Sequence, residues 1–363
     1  KAKIIYKKAL QFNSKDSNIL NNLANTYKSS GDCQTSIKLY EKAISSNSNH
    51  VESVFNLGIT KLLLNDYKYG LELYEKRLQC NQIYSLIARP DFKKIETKPK
   101  TGEKLLIISE QGLGDTVQFM RYVFYLKEKG IDVYFCAQTK LFNLIKSSNL
   151  NVPLVLPNEV NSINEYKWLP LLSLPKLLDV NPNNPIINQP YIFPSDKLIK
   201  KWKNIFSAEQ KPIIGINWQG NPDAEKQSLR GRSIALDYFA PIAKTIKGKF
   251  VSLQKGFGSE QLDNCSFRQA FIDSQRLVDQ TWDFEETTAI IANCDLIITT
   301  DTVIAHLSGG LGKKTWLLMQ YIPDWRWGLK GDSTFWYPSI TLFRQTRAGD
   351  WNGVINRILL ELK

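Results

Sequence analysis

The sequence predicts an α-helical solenoid followed by two α/β lobes, each a parallel sheet covered by helices. Three observations point there. The first 84 residues repeat at a period of 34. The apolar run Leu105-Leu106-Ile107-Ile108 enters a polar turn, Ser109-Glu110-Gln111-Gly112-Leu113-Gly114-Asp115, and then a helical stretch from Thr116. A second apolar run, Leu296-Ile297-Ile298, leads likewise into Asp301-Thr302-Val303-Ile304-Ala305-His306. A strand that passes through such a turn into a helix aims unpaired N–H groups and the positive end of the helix dipole at one spot, which suits an anion. Two such units suggest two lobes facing one cleft.

The repeat is read from three phrases: Tyr6-Lys-Lys-Ala-Leu-Gln-Phe-Asn13, Tyr40-Glu-Lys-Ala-Ile-Ser-Ser-Asn47 and Tyr74-Glu-Lys-Arg-Leu-Gln-Cys-Asn81. Leu23 with Leu57, and Ala24 with Gly58, match at the same spacing. Small and large residues recurring in this way form the tetratricopeptide pattern, in which each unit is a helical hairpin that buries its apolar face only by stacking. Residues 1–84 are assigned to these repeats. The chain opens inside a repeat and without Met, so further repeats are expected upstream.

Residues 85–100 turn polar around two prolines and read as a linker. A βα alternation then begins, with strands expected near 104–109, 131–137 and 152–156 and helices near 116–129 and 140–147. Four prolines between Asn181 and Pro194 mark the passage from a first lobe, 101–190, to a second, 191–363. In the second lobe strands are expected near 212–218, 249–254, 295–300 and 314–319, with helices near 235–246, 285–292 and 302–311. A last helix, about 350–362, is expected to pack back on the first lobe.

With 43% hydrophobic and 23% charged residues the chain falls among ordinary globular proteins. No apolar run approaches the roughly 18 to 20 residues of a membrane span, and no signal peptide opens it, so a cytoplasmic location is expected. Five scattered cysteines with no C-x-x-C pair encode neither a disulfide framework nor a zinc site. The formal charge of +12 is spread along the chain rather than gathered in a basic arm, which disfavours nucleic acid and leaves an anionic ligand open.

Gly112-Leu113-Gly114 is not a dinucleotide fingerprint, because Val117 stands where a third small residue belongs and Cys136-Ala137-Gln138 where an acidic residue does. Asp115 has two open readings: a helix cap, worth about 1 kcal/mol, or a general base on the cleft-facing loop. His306 shares a helix face with Thr302, so either both reach one phosphate or the imidazole is satisfied by a neighbouring loop. The strand Ile213-Ile214-Gly215-Ile216-Asn217-Trp218 ends in Gln219-Gly220-Asn221-Pro222, followed by Arg230, Arg232 and Ser233, where an arginine can clamp a diphosphate or lie in solvent. Ser252-Leu253-Gln254-Lys255-Gly256 is a third strand end with polar donors. The aromatic phrases Pro323-Asp324-Trp325-Arg326-Trp327-Gly328 and Phe335-Trp336-Tyr337-Pro338 serve either packing or stacking on a sugar or base. No metal is expected, since no Asp-x-Asp and no His/Cys cluster occurs.

Taken together, Glu110-Gln-Gly-Leu-Gly-Asp-Thr-Val-Gln-Phe119, Leu172-Ser-Leu-Pro175, Gly215-Ile-Asn-Trp-Gln-Gly-Asn-Pro222, Arg232-Ser-Ile234, Asp301-Thr-Val-Ile-Ala-His306 and Asp324-Trp-Arg-Trp327 resemble the heptosyltransferase-like glycosyltransferases, in particular bacterial ones joined to tetratricopeptide repeats. The architecture is also similar to O-GlcNAc transferase and flagellin-modifying enzymes. The resemblance implies an α-helical tetratricopeptide solenoid followed by an α/β GT-B fold of two Rossmann-like lobes, and inverting, metal-independent sugar transfer from a nucleotide sugar to a hydroxyl. It implies Asp115 as base. On the donor side it implies Gly112, Gly114, Trp218, Gly220, Asn221, Arg232, Ser233, Gln254, Lys255, Asp301, Thr302 and His306. A protein or peptide acceptor would lie along the repeats, and a homo-oligomer is compatible with this. Removal of residues 1–84 is then expected to spare nucleotide binding. The alternatives are a saccharide or lipid-linked acceptor, a nucleotide-sugar epimerase, and a non-catalytic repeat scaffold. Related sequences often carry a His and an Asp between the Asn-Pro turn and Arg-Ser-Ile, where this chain has Asp223-Ala-Glu-Lys-Gln-Ser-Leu-Arg230.

Overall fold

The computed structural model describes residues 1–80, 86–227 and 231–362; Asn81 of the third repeat phrase and Arg230 lie outside the described residues. Five helices come first: α1 (Ala2–Phe12), α2 (Ser17–Ser29), α3 (Cys33–Ser46), α4 (Val51–Leu63) and α5 (Tyr67–Tyr74). Asp16 and Asp32 cap α2 and α3 by accepting from the Ile19 and Thr35 N–H groups, each at 3.0 Å. The turns between α2 and α3 and between α4 and α5 place Gly31 (φ 88°) and Asn65 (φ 65°) in the left-handed region. The matched small residues sit where helices cross. Ala24 is fully buried, and a Cβ on Gly58 would stand 2.9 Å from Leu73 Cβ.

The first sheet has the order β2-β1-β3, all parallel, from β1 (Lys104–Ile108), β2 (Asp132–Cys136) and β3 (Lys167–Pro170). Its helices are α6 (Leu113–Phe119), α7 (Arg121–Glu128), α8 (Phe142–Ser147) and α9 (Leu174–Leu177). The expected strand near 152–156 shrinks to one bridge between Phe135 and Leu154. Pro153 lacks an N–H, and Asn149 and Asn151 before it have φ of 59° and 42°. β3 takes the place beside β1. The linker region supports β3 in turn, since the Trp168 N–H donates to Lys93 O at 3.1 Å and the Ile95 N–H to Trp168 O at 2.9 Å.

The second sheet has the order β5-β4-β6-β7-β8. Its strands are β4 (Ile213–Asn217), β5 (Lys249–Ser252), β6 (Leu296–Thr300), β7 (Thr315–Met319) and β8 (Ile340–Arg344). Its helices are α10 (Asp196–Ile205), α11 (Pro222–Gln227), α12 (Ala240–Thr245), α13 (Gln261–Asn264), α14 (Gln275–Asp279), α15 (Phe284–Ala292), α16 (Val303–Gly310) and α17 (Trp351–Glu361). Strands β4, β6 and β7 are buried along their whole length, as parallel strands covered on both faces must be. From β4 the chain goes to β5 on one side and later to β6 on the other. The crevice at the carboxyl ends of β4 and β6 is therefore the switch point of the sheet.

The last helix departs from expectation. Trp351, Val354, Ile355 and Ile358 give α17 one apolar stripe, and it buries that stripe with Leu236, Phe239, Ile242, Trp316 and Phe343 of the second lobe, not on the first. The joins between parts run elsewhere. One continuous core contains Phe55, Leu62, Tyr67 and Tyr74 of the helical region, Val117, Phe119 and Tyr122 of the first lobe, and Trp325, Trp327 and Trp336 of the second. Arg121 adds a polar tie, donating to Gln118 O at 2.8 Å, Ile187 O at 3.1 Å and Trp336 O at 2.6 Å. The helical region is thus part of the molecule's main core, and the expectation that the two lobes would stand without it does not fit this packing.

Candidate active site

The turn after β1 brings Asp115 to the cleft. Helix α6 begins at Leu113, three residues earlier than expected, with Gly112 as N-cap. Asp115 is therefore not the cap itself; it reaches back, and its Oδ2 accepts from the Gly112 N–H at 2.9 Å. Its Oδ1 accepts from Nη2 of Arg326, a residue of the second lobe. Burial pushes the Asp115 carboxyl above the ordinary carboxylate range, with Arg326 acting against that shift. Arg326 also donates Nη1 to Asp324 Oδ1 at 2.7 Å. Its guanidinium lies 4.8 Å from the Trp325 ring centroid and 5.2 Å from that of Phe119. One buried cation thus ties two carboxylates across the cleft.

The lobes also meet at glycine. A Cβ on Gly114 would stand 2.9 Å from His306 Cδ2 and 3.5 Å from Val303 Cα, so only glycine lets α6 lie this close to the start of α16. His306 stacks on Trp327, with centroids 5.6 Å apart and planes 21° apart, and its Nδ1 is 3.0 Å from Tyr337 Oη. Burial, then the arginines Arg326, Arg121 and Arg232, hold its pKa well below the usual histidine value, so the imidazole is neutral. Trp325, Trp327, Trp336 and Tyr337 are all buried, so these aromatics pack and shape the cleft floor.

At the switch point, Thr302 caps α16 by accepting from the Ile304 N–H at 3.3 Å and donates to Asn217 Oδ1 at 2.7 Å. Asp301 is buried beside them. Its backbone oxygen accepts from Arg232 Nη1 at 2.9 Å, while burial, and then the nearby Asp324 carboxylate, push its own carboxyl up to about 6. Arg232 lies directly over Gly220, where any Cβ would run into the guanidinium. The Gly220 N–H donates to Ser233 Oγ at 3.0 Å, and Ser233 donates to Glu225 of α11, which also stands 3.5 Å from Arg232 Nε. Asn221 caps the start of α11, accepting from the Asp223 N–H at 3.0 Å.

Other expected donor contacts point elsewhere. Gln254 Oε1 accepts from Asn217, Trp218 and Gln219 at 2.8, 3.2 and 3.0 Å, and its Nε2 donates to Gln219 O and Phe257 O at 3.0 and 2.7 Å, so it shapes the loop after β4. Trp218 is fully buried with Nε1 on Gly258 O at 3.1 Å. Lys255 donates to Val278 O, and burial lowers its pKa. Among the described residues, Nε of Arg232, Nε of Arg326, Nε1 of Trp327 and Oγ1 of Thr300 are buried without a hydrogen-bond partner. The Trp327 side chain faces the Asp301 carboxyl and Arg232 Nε faces Glu225, while the two arginine charges beside Asp301 give the crevice a positive field suited to an anion. Sequence reasoning did not assign roles to Arg326, Glu225 or Asn217. The only hint was the alternation of charge and indole in Asp324-Trp-Arg-Trp327.

No family model and no curated protein matches the chain. Among solved structures, a glycosyl transferase family 9 protein from Veillonella parvula DSM 2008 superposes with a TM-score of 0.52 at 10% identity, over 72% of this chain and 96% of that one. The chain therefore shares the two-lobed fold of that glycosyltransferase. The ADP-heptose LPS heptosyltransferase II of E. coli gives 0.46 at 13% identity over 72% and 98% of the two chains. An O-GlcNAc transferase variant from Thermobaculum terrenum gives 0.29 at 10% identity over 99% and 79%.

Proposed function

We propose that the chain is an inverting glycosyltransferase that moves a sugar from a nucleotide-sugar donor to a hydroxyl acceptor. The observation that carries this is the meeting of Asp115 with the Arg232, Asp301, Thr302 and Arg326 cluster across one cleft on a glycosyltransferase fold. Asp115, its carboxyl raised by burial against the pull of Arg326, takes the proton of the attacking hydroxyl; each of its oxygens uses one lone pair in the contacts above and keeps another. The anomeric carbon passes through an oxocarbenium-like transition state. Arg232, Arg326 and the dipole of α16 stabilise the charge growing on the diphosphate, so no metal is required. Lys255 has no part in this. The helical region, read as tetratricopeptide repeats, holds a protein or peptide acceptor.

The test is a thermal-shift screen against UDP, GDP, ADP, CMP and their sugars. A ligand at about 100 times its Kd should stabilise by about 2.7 kcal/mol. Arg232→Ala should weaken the response, and EDTA should not. No shift with any nucleotide would refute the enzyme reading, and donor epimerisation without transfer would favour an epimerase.

A further inference from the structure

We propose that Arg77 and Tyr74, supplied by the helical region, are positioning residues that set the loop presenting Asp115; this rests on the reading of Asp115 as the base. Glu110, two residues after the end of β1, is fully buried and receives Arg77 at two points, Nε to Oε2 at 2.9 Å and Nη2 to Oε1 at 2.8 Å. The Leu172 N–H adds a third donor to Oε1 at 3.1 Å. The remaining Arg77 donors reach Glu75 Oε1 at 2.6 Å, Tyr74 O at 3.4 Å and Ser173 Oγ at 2.9 Å. Every N–H of the guanidinium has a partner. Such a pair resists any slip of the backbone, because displacement leaves a charge in a low-dielectric interior.

The next residue continues the same support. Gln111 adopts φ 62°, a conformation unfavourable for a side-chain-bearing residue, and its Nε2 donates to Tyr74 Oη at 2.9 Å. Gly112 follows, bonded to Asp115. Two successive residues before the α6 cap are therefore held by side chains from the helical region, and the carboxylate lies one helical turn further on. Apolar residues often fill such a space without loss of stability. The ion pair instead gives the loop a single direction.

The test is a double-mutant cycle in the full chain. Turnover is read as consumption of whichever UDP, GDP or ADP sugar gives the largest thermal shift, and affinity by calorimetry with the matching nucleoside diphosphate. Arg77→Lys keeps the charge and loses the fork; Tyr74→Phe removes one hydroxyl. We expect kcat to fall about ten- to a hundredfold for Arg77→Lys and severalfold for Tyr74→Phe, with nucleotide affinity unchanged within about twofold. In an Asp115→Asn background the Arg77→Lys effect should vanish, since the residue acts through Asp115. Native kcat in Arg77→Lys, effects that multiply in the double variant, or affinity falling in step with kcat would overturn the proposal. Should Arg77→Lys fail to fold, Tyr74→Phe decides by the same criteria. Near-native turnover of Asp115→Asn alone refutes the base reading itself, whereas a large loss in Asp115→Asn on which the Arg77→Lys effect multiplies refutes only the positioning role.

Discussion

Asp115 holds three things in place at once: the first turn of α6, the Arg326 guanidinium and the geometry of the cleft. Asp115→Asn keeps shape and one acceptor oxygen while removing the charge, so transfer should fall roughly 10² to 10⁴-fold with nucleotide affinity little changed. Saturated turnover close to native would reduce Asp115 to a structural ion pair. Asp301 leads to a pH prediction. Its folded value is raised from 3.8 to about 6, so the stability it contributes is fully present below the ordinary carboxylate value and is lost as pH rises through about 6. The neutral form also repels a diphosphate less and can donate to it. Affinity for a nucleotide sugar, whose diphosphate does not titrate there, should therefore rise as pH falls from about 7.5 to about 5.5, and Asp301→Asn should remove the dependence. Calorimetry across that range checks it; a flat wild-type profile would place Asp301 away from the phosphates. At this scale the strand-end turns singled out Asp115, Thr302 and Arg232, and the structure sets them at the ends of β1, β6 and the loop after β4. The sequence did not reveal Arg326, because its partner lies 211 residues away and nothing local marks the pairing.

Elements were legible where turn chemistry and periodicity agree. The units β1 to α6 and β6 to α16 each announce themselves by an apolar run, a polar or glycine turn and a capped helix, whereas β4 announces its turn but not the helix α11 after it. Strand β3 did not announce itself. Its four residues end in proline, and its pairing partners sit on β1 and in the linker. Helix α17 was legible as a helix, yet its partner was not, since an apolar stripe fixes that a face is buried and leaves open against what. The turn after β4 gives the prediction at this scale. Gly220→Ala would displace Arg232 from its seat, and nucleotide affinity should drop about ten- to a hundredfold, the worth of one charge-assisted hydrogen bond at about 1.5–3 kcal/mol. Unchanged affinity by calorimetry would show that the arginine is placed by Glu225 and the Asp301 carbonyl alone.

For the whole molecule, the repeat period read as a separate module, while the structure places its last hairpin inside the main core. Removing residues 1–84 strips Tyr67 and Tyr74 from Trp325 and Trp336 and leaves Glu110 buried without its arginine. Loss of one partner of a buried pair costs about 3–5 kcal/mol by itself. The truncated chain should be insoluble or should melt many degrees lower, and a soluble fragment with native nucleotide affinity would contradict the shared core. The same core also governs how the protein is made. Helices α4 and α5 are made long before the indoles that cover Tyr67 and Tyr74, and Arg121 meets its carbonyl on Trp336 only 215 residues later. Hairpin-by-hairpin folding during synthesis therefore stops short. The nascent chain carries an uncovered aromatic face until Trp325 and Trp336 have been made, a long exposure of the kind that chaperones attend to.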